Sequence, residues 1–288
     1  MAVSAARYTL LALLFSVLWA SGFVAIKIAL RDSPPLLLMA SRFLVGGLVL
    51  LAIARLRGSP LPATWREWRA IAVLGVLNNA LYLGITSLLL VHLSAGTASV
   101  LAATTPLMLA LAAPWFLDER LTAVKAAGLV VSCAGVAWVM WSRIGASDSA
   151  AAMVGWLGTA VFLVAATILF KRWRLDSDLL VINAGQLLTA GIVLTPPALL
   201  WESLHALRIT PALLAAQAHM IFVISTAAMM LWLWLLGHGD ATRAGAWFFL
   251  NPVLGLFMAA LVLGEPLHAQ DFLGGLVVAA GIYAVQRG

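Results

Sequence analysis

The chain has 288 residues, of which 64% are hydrophobic and only 10% are charged, and its formal net charge is +6. A soluble domain of this length cannot bury so much apolar surface, because polar side chains must still cover its exterior. This composition therefore excludes a soluble protein and predicts a helical membrane protein that crosses the bilayer many times.

Ten apolar segments follow one another along the chain, and each is long enough to cross a bilayer as a helix. In the first half they lie near residues 8–30, 35–54, 70–91, 95–116 and 124–142. In the second half they lie near 153–171, 179–200, 211–236, 242–262 and 269–286, after the polar segment 143–151. The first span is too long for a signal peptide, and no Ala-x-Ala site is placed to release it.

Positive residues collect in alternate loops. With the N-terminus inside, the cytoplasmic segments hold 12 Lys and Arg residues, whereas the opposite side holds only Arg31, Arg143 and Arg208. This asymmetry predicts that both termini are cytoplasmic. Because the positive residues are dispersed among short loops, we expect no nucleic-acid partner.

The two halves repeat each other without a gap. Pro252, Glu265, Gly274 and Gly281 each lie 146 residues after the same residue type, at Pro106, Glu119, Gly128 and Gly135. We therefore predict two homologous units, residues 1–144 and 151–288. Five spans per unit invert the second unit in the membrane, so the predicted fold is an all-α polytopic membrane protein with ten transmembrane helices in two inverted five-helix repeats. Such repeats are typical of alternating-access transporters.

Four motifs carry a family resemblance. They are LWASGFVAIK in the first span, SRFLVGG in the second, TPLMLALAAPWFLDERLT across spans 4 and 5, and NPVLGLFMAALVLGEPLH across spans 9 and 10. With them the chain resembles the EamA type of the drug/metabolite transporter superfamily along nearly its whole length. It is also similar, by general likeness, to the bacterial aromatic amino-acid exporters of that superfamily.

The resemblance implies a transporter in the bacterial cytoplasmic (inner) membrane that exports amino acids, aromatic and other neutral ones first. The alternative substrate is another small metabolite or an amphiphilic drug. No nucleophile with a base, no metal-ligand cluster and no pair of acids lies at membrane depth, so we expect neither an enzyme nor a cofactor or metal.

All eleven acidic residues fall in predicted loops or at span ends. Because a carboxylate at membrane depth is the usual proton or sodium relay, the simplest mechanism is a facilitator. Proton coupling would have to use His219, the only histidine well inside a span. A packing role for this histidine is the commoner one.

Polar and aromatic residues at mid-depth are the candidate substrate site. Asn78 and Tyr82 are four residues apart and share a face of an α-helix. Together with Asn251 they are predicted to bind the polar end of the substrate, and Trp19 and Trp247 its apolar part. The full set adds a threonine and a methionine: Trp19, Asn78, Tyr82, Thr104, Met230, Trp247 and Asn251. For the tryptophans and the methionine, simple core packing is the alternative.

Two prolines and two cations lie inside predicted spans. Pro106 and Pro252 free the carbonyls of Ala102 and Phe248, which could line a cavity or mark plain kinks. Lys27 is expected to extend to the membrane interface. For Arg42, which is deeper, a structural partner is preferred over contact with the substrate.

The glycines and the remaining tryptophans indicate packing and depth. Gly128 with Gly135, and Gly274 with Gly281, place small residues on one face of spans 5 and 10. These faces predict close packing either between the halves or in a homo-oligomer. Ten tryptophans near span ends, including Trp156 and Trp232, are expected to be interface anchors in contact with the lipid bilayer.

Overall fold

A computed structural model describes residues 4–93, 95–141, 148–263 and 267–288, and all regular structure in these ranges is helical. The first half contains α1 (Ala5–Ala29), α2 (Pro35–Leu56), α3 (Trp65–Gly75), a π-helical segment (Val76–Gly84), α4 (Ile85–Leu89), α5 (Ala95–Ala102), α6 (Thr104–Phe116) and α7 (Ala123–Trp141). The second half contains α8 (Ala150–Trp173), α9 (Leu179–Trp201), α10 (Pro211–His219), a second π-helical segment (Met220–Ala228), α11 (Met229–His238), α12 (Ala241–Ala246), α13 (Leu250–Leu263) and α14 (Ala269–Arg287). Short 3₁₀ turns lie at Leu90–His92, Leu204–Ala206 and Trp247–Phe249.

Within the described ranges, seven helical stretches are long and apolar enough to cross a membrane. They are Ala5–Ala29, Pro35–Leu56, Trp65–His92, Ala150–Trp173, Leu179–Trp201, Pro211–His238 and Ala269–Arg287. Thr104–Phe116 and Ala123–Val139 are shorter apolar helices. The predicted all-helical architecture with many spans is therefore confirmed.

Short connections reverse the chain between successive long helices, so that helix ends collect at two opposite faces. The termini face is the one where α1 begins and α14 ends, and the distal face is the opposite one. Contacts that join helix ends at the termini face are Lys171–Glu119 (3.0 Å), Ser59–Asp178 (2.9 Å) and Thr122–Gly288 (3.5 Å). At the distal face, the Thr210 hydroxyl donates to Asp32 (2.7 Å).

Polar side chains cap the N-termini of five helices. The backbone N–H groups of the first turn donate to the side chains of Ser4, Thr64, Ser149, Asp178 and Thr210. These bonds satisfy donors that have no partner inside the helix. Each caps a helix at the position where the apolar run starts.

Two glutamates cap helices of the other half of the chain. Asp118 adopts φ 55°, which aspartate tolerates, and the turn directs Glu119 to the first two N–H groups of α12 (2.6 and 3.1 Å). At the distal face, Glu202 accepts from the N–H groups of Leu36 and Leu37, both at 2.8 Å. A carboxylate is favoured at a helix N-terminus, so these bonds tie the halves together at both faces.

The predicted glycine faces of α7 and α14 pack against each other within the chain. A methyl group on Gly281 would lie 2.6 Å from the Gly128 carbonyl oxygen, and one on Gly274 would lie 3.3 Å from the Gly135 carbonyl oxygen. Only glycine permits this approach. These glycines therefore serve packing between the two halves of the chain, which is the first of the two predicted roles.

A similar reciprocal contact joins α2 and α9. A methyl group on Gly47 would meet Leu188 at 2.7 Å, and one on Gly191 would meet Leu44 at 2.6 Å. The two contacts are equivalent. Each glycine packs against the leucine that lies three residues before the glycine of the other helix. This is the pattern of an interface with two-fold symmetry.

The tryptophans divide between the surface and the interior. Trp65, Trp115 and Trp201 lie at helix ends and are 78%, 84% and 77% exposed, as expected for interface anchors. Trp156 and Trp232 are instead 5% and 3% exposed. For these two the expectation of an interface anchor was wrong, because position along a helix gives depth in the membrane but not the side that faces lipid.

Candidate substrate cavity

A cavity of about 90 Å³ lies between helices of both halves. One water molecule needs about 10–15 Å³ by this measure, so the cavity holds several waters. Sites for small organic molecules are larger, about 300–1,000 Å³. The cavity in this structure is therefore smaller than a typical site for such a molecule.

The cavity lies toward the distal face. Its wall residues in the first three long helices belong to the distal half of each: Trp19, Gly22, Phe23 and Ile26 in α1, Met39 and Arg42 in α2, and residues 82–90 of the third. The halves of these helices nearer the termini face do not contribute to the wall. The cavity is consequently closed on the side of the termini.

Both π-helical segments bring residues to the wall. Tyr82 lies in Val76–Gly84, and Ile224 lies in Met220–Ala228. In a π-helix each hydrogen bond spans one residue more than in an α-helix, which widens the turn and shifts the side chains that follow. Such turns are frequent at functional sites.

The two buried prolines lie beside breaks in their helices. Ala103 interrupts the helix that contains Pro106, and the 3₁₀ turn Trp247–Phe249 precedes α13, which contains Pro252. Proline removes a backbone donor and clashes with the carbonyl four residues earlier. The residues at those carbonyls, Ala102 and Phe248, both line the cavity.

Two polar side chains of the wall have oxygens without a partner in the described part of the chain. Asn251 is 3% exposed and Thr105 is 4% exposed, and neither Asn251 Oδ1 nor Thr105 Oγ1 is hydrogen-bonded. By contrast, Thr86 and Ser87 donate to carbonyls of their own helix (2.7 and 2.6 Å). The oxygens of Asn251 and Thr105 are therefore free to accept a hydrogen bond from a ligand.

Arg42 contributes the charge at the cavity wall. The residue is 5% exposed, and its Nε–H donates to Ser225 Oγ at 2.8 Å. Within the described ranges, no carboxylate lies within 4.0 Å of it. The wall is therefore apolar for the most part, with one cation and a few neutral polar groups.

An aromatic cluster closes the cavity toward the termini face. Trp19 and Phe248 line the cavity and meet edge to face, with ring centroids 5.7 Å apart. Behind them, Trp232 packs on Phe248 at 4.8 Å and on Phe15 at 5.6 Å. Packed aromatic rings exclude water efficiently, so this cluster is a seal.

Comparison with known proteins identifies the family. The model of the EamA-like transporter family matches the chain twice, at residues 6–141 and 151–286. The chain belongs to the EamA-like transporter family. It is thus a multi-pass membrane protein of a family of transporters.

Individual relatives of this EamA-like transporter are distant but span nearly its whole length. The uncharacterized transporter YvbV of Bacillus subtilis is 27% identical over 281 residues, which cover 97% of this chain and 91% of the relative. A probable amino-acid metabolite efflux pump of Escherichia coli is 28% identical over 294 residues, which cover 95% and 92%. A solved crystal structure with 20% identity superposes with a TM-score of 0.84 over 99% of this chain and 98% of its own, which shows the same fold.

The structure brings three of the predicted site residues of this EamA-like transporter together. Trp19, Tyr82 and Asn251 all line the cavity. Trp19 is half-buried at the aromatic seal, whereas Tyr82 and Asn251 are buried in the wall.

Asn78 and Met230 lie outside the cavity wall. The Asn78 amide is directed to Met229 Sδ, 3.9 Å away, and Met230 is half-buried elsewhere. Asn78 and Tyr82, which were expected to share a helical face, both lie in the π-helical segment. Tyr82 lines the cavity, whereas Asn78 does not.

Thr104 and Trp247 are also outside the wall. The Thr104 hydroxyl donates to the Leu101 carbonyl at 2.6 Å, and its neighbour Thr105 lines the cavity instead. Trp247 is 5% exposed and belongs to the apolar core. Its neighbour Phe248 is the aromatic residue at the cavity.

Sequence reasoning missed several wall residues, including Phe23, Trp156 and Ile224. Thr105 directly precedes Pro106 and is a mid-depth polar residue like Thr104, so the sequence does indicate it as a candidate. Trp156 was expected at the lipid interface, and Ile224 and Phe23 are apolar residues among many, so no residue type distinguishes them.

The two cations and the histidine inside the spans have different environments. Lys27 is exposed, as expected for a side chain that extends to the interface. His219 Nε2 is hydrogen-bonded to Ser21 Oγ at 2.8 Å, and the same hydroxyl lies 2.6 Å from the Leu18 carbonyl oxygen. Lys27 and His219 lie outside the wall of the central cavity, whereas Arg42 is part of that wall.

Proposed function

We propose that this EamA-like transporter exports amino acids, aromatic and other neutral ones first, across the bacterial inner membrane. The observation that carries the proposal is the central cavity, where aromatic rings at Trp19 and Phe248 share a wall with the polar groups of Tyr82, Thr105 and Asn251. Such a wall suits a small molecule with an apolar side chain and a polar end. The Escherichia coli relative named a probable amino-acid metabolite efflux pump supports this substrate class.

The proposed architecture is ten transmembrane helices in two inverted five-helix repeats, with units 1–144 and 151–288. The two matches to the family model support it, as do the π-helical segments in the corresponding helices Trp65–His92 and Pro211–His238. The reciprocal glycine contacts between α7 and α14 and between α2 and α9 fit a two-fold axis between such repeats. The excess of positive charge in the loops at the termini face supports a cytoplasmic location for that face.

The proposed mechanism is alternating access. With the termini face in the cytoplasm, the central cavity lies in the external half and the aromatic seal blocks its path inward. Export requires a second state in which the seal opens and the distal contacts close. The Lys171–Glu119 ion pair (3.0 Å) and the α12 cap at the termini face would separate in that state.

A facilitator is the simplest form of this transport. No acidic side chain is part of the described cavity wall, and His219 lies outside it. A proton bound by His219 would therefore not be in direct contact with a substrate in this cavity. The alternative is proton coupling through His219, and the experiment must distinguish it from facilitated transport.

The test is uptake of labelled tryptophan and threonine into proteoliposomes that contain the purified protein, with and without an imposed pH gradient. Entry that follows the amino-acid gradient alone, and that is unchanged in His219→Ala, is the expected result. Trp19→Ala and Tyr82→Ala should lower uptake with the yield of folded protein unchanged. Acceleration by the pH gradient that is lost in His219→Ala would establish proton coupling, and no entry of either amino acid would redirect the search to another metabolite or an amphiphilic drug.

A further inference from the structure

Arg42 is a charged residue in the interior of a membrane-spanning helix. Its side chain is 5% exposed, and no carboxylate of the described residues lies within 4.0 Å. A buried charge without a partner of opposite sign is strongly unfavourable, and in membrane proteins such a residue marks a functional site by default. Arg42 therefore requires an explanation that packing does not provide.

The Arg42 guanidinium makes one strong hydrogen bond, and its central carbon lies 5.3 Å from the centroid of the Phe43 ring. Nε–H donates to Ser225 Oγ at 2.8 Å, whereas Nη1 lies 3.8 and 3.9 Å from the sulfur atoms of Met39 and Met220. Thioether sulfur is a poor acceptor. Four of the five N–H donors thus lack a strong acceptor in the described part of the chain.

The bond to Ser225 fixes the orientation of the guanidinium. Ser225 lies in the π-helical segment Met220–Ala228 and is itself 3% exposed. Because Nε is held there, the outer edge of the fork, formed by Nη1 and Nη2, is the part left for another partner. Arg42 lines the central cavity, so that partner can be a molecule inside it.

We infer that Arg42 binds the carboxylate of the transported molecule. A guanidinium matches a carboxylate with two parallel hydrogen bonds, which a point charge does not provide. The unpaired oxygens of Thr105 and Asn251 in the same wall accept hydrogen bonds from the N–H donors of that molecule. The ligand class is a small monocarboxylate with a nearby donor group, a description that a zwitterionic amino acid meets.

This assignment rests on the proposed function in one respect, namely that the substrate is held in this cavity. The inference is more specific than the proposed function. It requires a carboxylate on the ligand for binding, whereas an ammonium group would add to the affinity without being required. Lys27 provides a matched control, since it is a cation in the same half of the membrane but is exposed and outside the cavity wall.

The test is binding to the purified protein in detergent at constant chloride, followed by the rise in melting temperature as ligand is added. The ligands are tryptophan, indole-3-propionate (carboxylate without ammonium), tryptamine (ammonium without carboxylate) and hexanoate. The first two and hexanoate should stabilise the wild type, whereas tryptamine should not. Arg42→Gln should weaken binding of the carboxylates by at least about tenfold, the effect of losing a charged two-point contact, and Lys27→Gln should leave it unchanged.

Equal binding of tryptamine and tryptophan to the wild type, or equal binding of the carboxylates to Arg42→Gln and the wild type, overturns the inference. So does the absence of any carboxylate binding to the wild type. If Arg42→Gln does not fold, Arg42→Lys keeps the charge without the fork and should bind carboxylates at least about fivefold more weakly. Unchanged binding to Arg42→Lys then overturns it.

The same panel separates this inference from the proposed function. If tryptophan and threonine are not transported but hexanoate binding still depends on Arg42, the carboxylate site stands and the choice of substrate fails. If both amino acids are transported equally by wild type and Arg42→Gln, the choice of substrate stands and the carboxylate site fails.

Discussion

At the scale of single residues, the cavity wall keeps polar atoms without partners. Asn251 Oδ1 and Thr105 Oγ1 are buried and have no hydrogen bond in the described part of the chain. A buried polar group without a partner costs about 1–3 kcal/mol of stability. Residues of a functional site often reduce the stability of the protein, because their polar groups are arranged to bind a ligand.

We predict that Asn251→Leu stabilises the protein and impairs transport. The leucine has the same branching at Cγ and removes the unpaired oxygen, so the free energy of unfolding should rise by about 1 kcal/mol. Uptake of the transported amino acid should fall by at least about tenfold, because the wall loses an acceptor. Thermal unfolding in detergent and uptake into proteoliposomes measure the two effects.

Asn183→Leu is the matched control for this prediction. The Oδ1 of Asn183, like that of Asn251, is buried without a partner in the described part of the chain, but Asn183 Nδ2 donates to the Ser225 carbonyl at 2.8 Å. Its replacement should lower the free energy of unfolding by about 1–2 kcal/mol. Equal destabilisation by the two substitutions would show that Asn251 is a structural residue.

At the scale of helices, breaks in regular structure position the cavity, and only some of them could be predicted. Pro106 and Pro252 indicate their breaks directly, because proline cannot complete the hydrogen-bond ladder of a helix. The π-helical segments Val76–Gly84 and Met220–Ala228 have no comparable residue signal. Which residues of such a segment reach the cavity depends on contacts between helices that are far apart in the chain. For this reason the sequence did not distinguish Tyr82, which lines the cavity, from Asn78, which does not.

We predict that Gly281→Ala separates α7 from α14 and destabilises the protein. The added methyl group would overlap Ser132 Oγ and would lie 2.6 Å from the Gly128 carbonyl oxygen, which is backbone and cannot rotate away. Overpacking of this kind costs about 1–3 kcal/mol. The melting temperature in detergent measures it.

Gly158→Ala in α8 is the control, because nothing lies within 4 Å of the added methyl group. Alanine is the better helix former by about 1 kcal/mol, so this variant should be at least as stable as the wild type. If both variants were stabilised, the glycine contact between α7 and α14 would not be close in the membrane.

At the scale of the whole molecule, the division into spans follows from hydropathy, whereas the division into cavity and core does not. Nearly every helix is apolar all round, so the sequence of Trp156 or Trp232 shows its depth but not its neighbours. Which side of a helix faces lipid is decided by contacts between residues far apart in the chain. Tyr82 and Asn251 could be predicted as site residues, because a polar side chain inside a membrane is energetically costly and is usually found where it has a function.

We predict that cysteines at the two faces react from opposite sides of the membrane. On a background with Cys133→Ala, Ala123→Cys at the termini face and Ala206→Cys at the distal face are both exposed. In whole cells, an impermeant maleimide should label Ala206→Cys only, and in inverted vesicles Ala123→Cys only. The reverse pattern would place the termini outside the cytoplasm.

The same reagent tests whether the aromatic seal opens. Ala12 is fully buried in α1, one turn before Phe15 on the side of the termini face, so Ala12→Cys should be unreactive in the structure described here. In inverted vesicles it should become reactive when the transported amino acid is present, because alternating access separates the helices behind the seal. Ala123→Cys, exposed in either state, should show no such dependence. If Ala12→Cys stays unreactive while transport proceeds, the substrate does not pass through the termini face by this route, and the alternating-access mechanism through the aromatic seal is wrong.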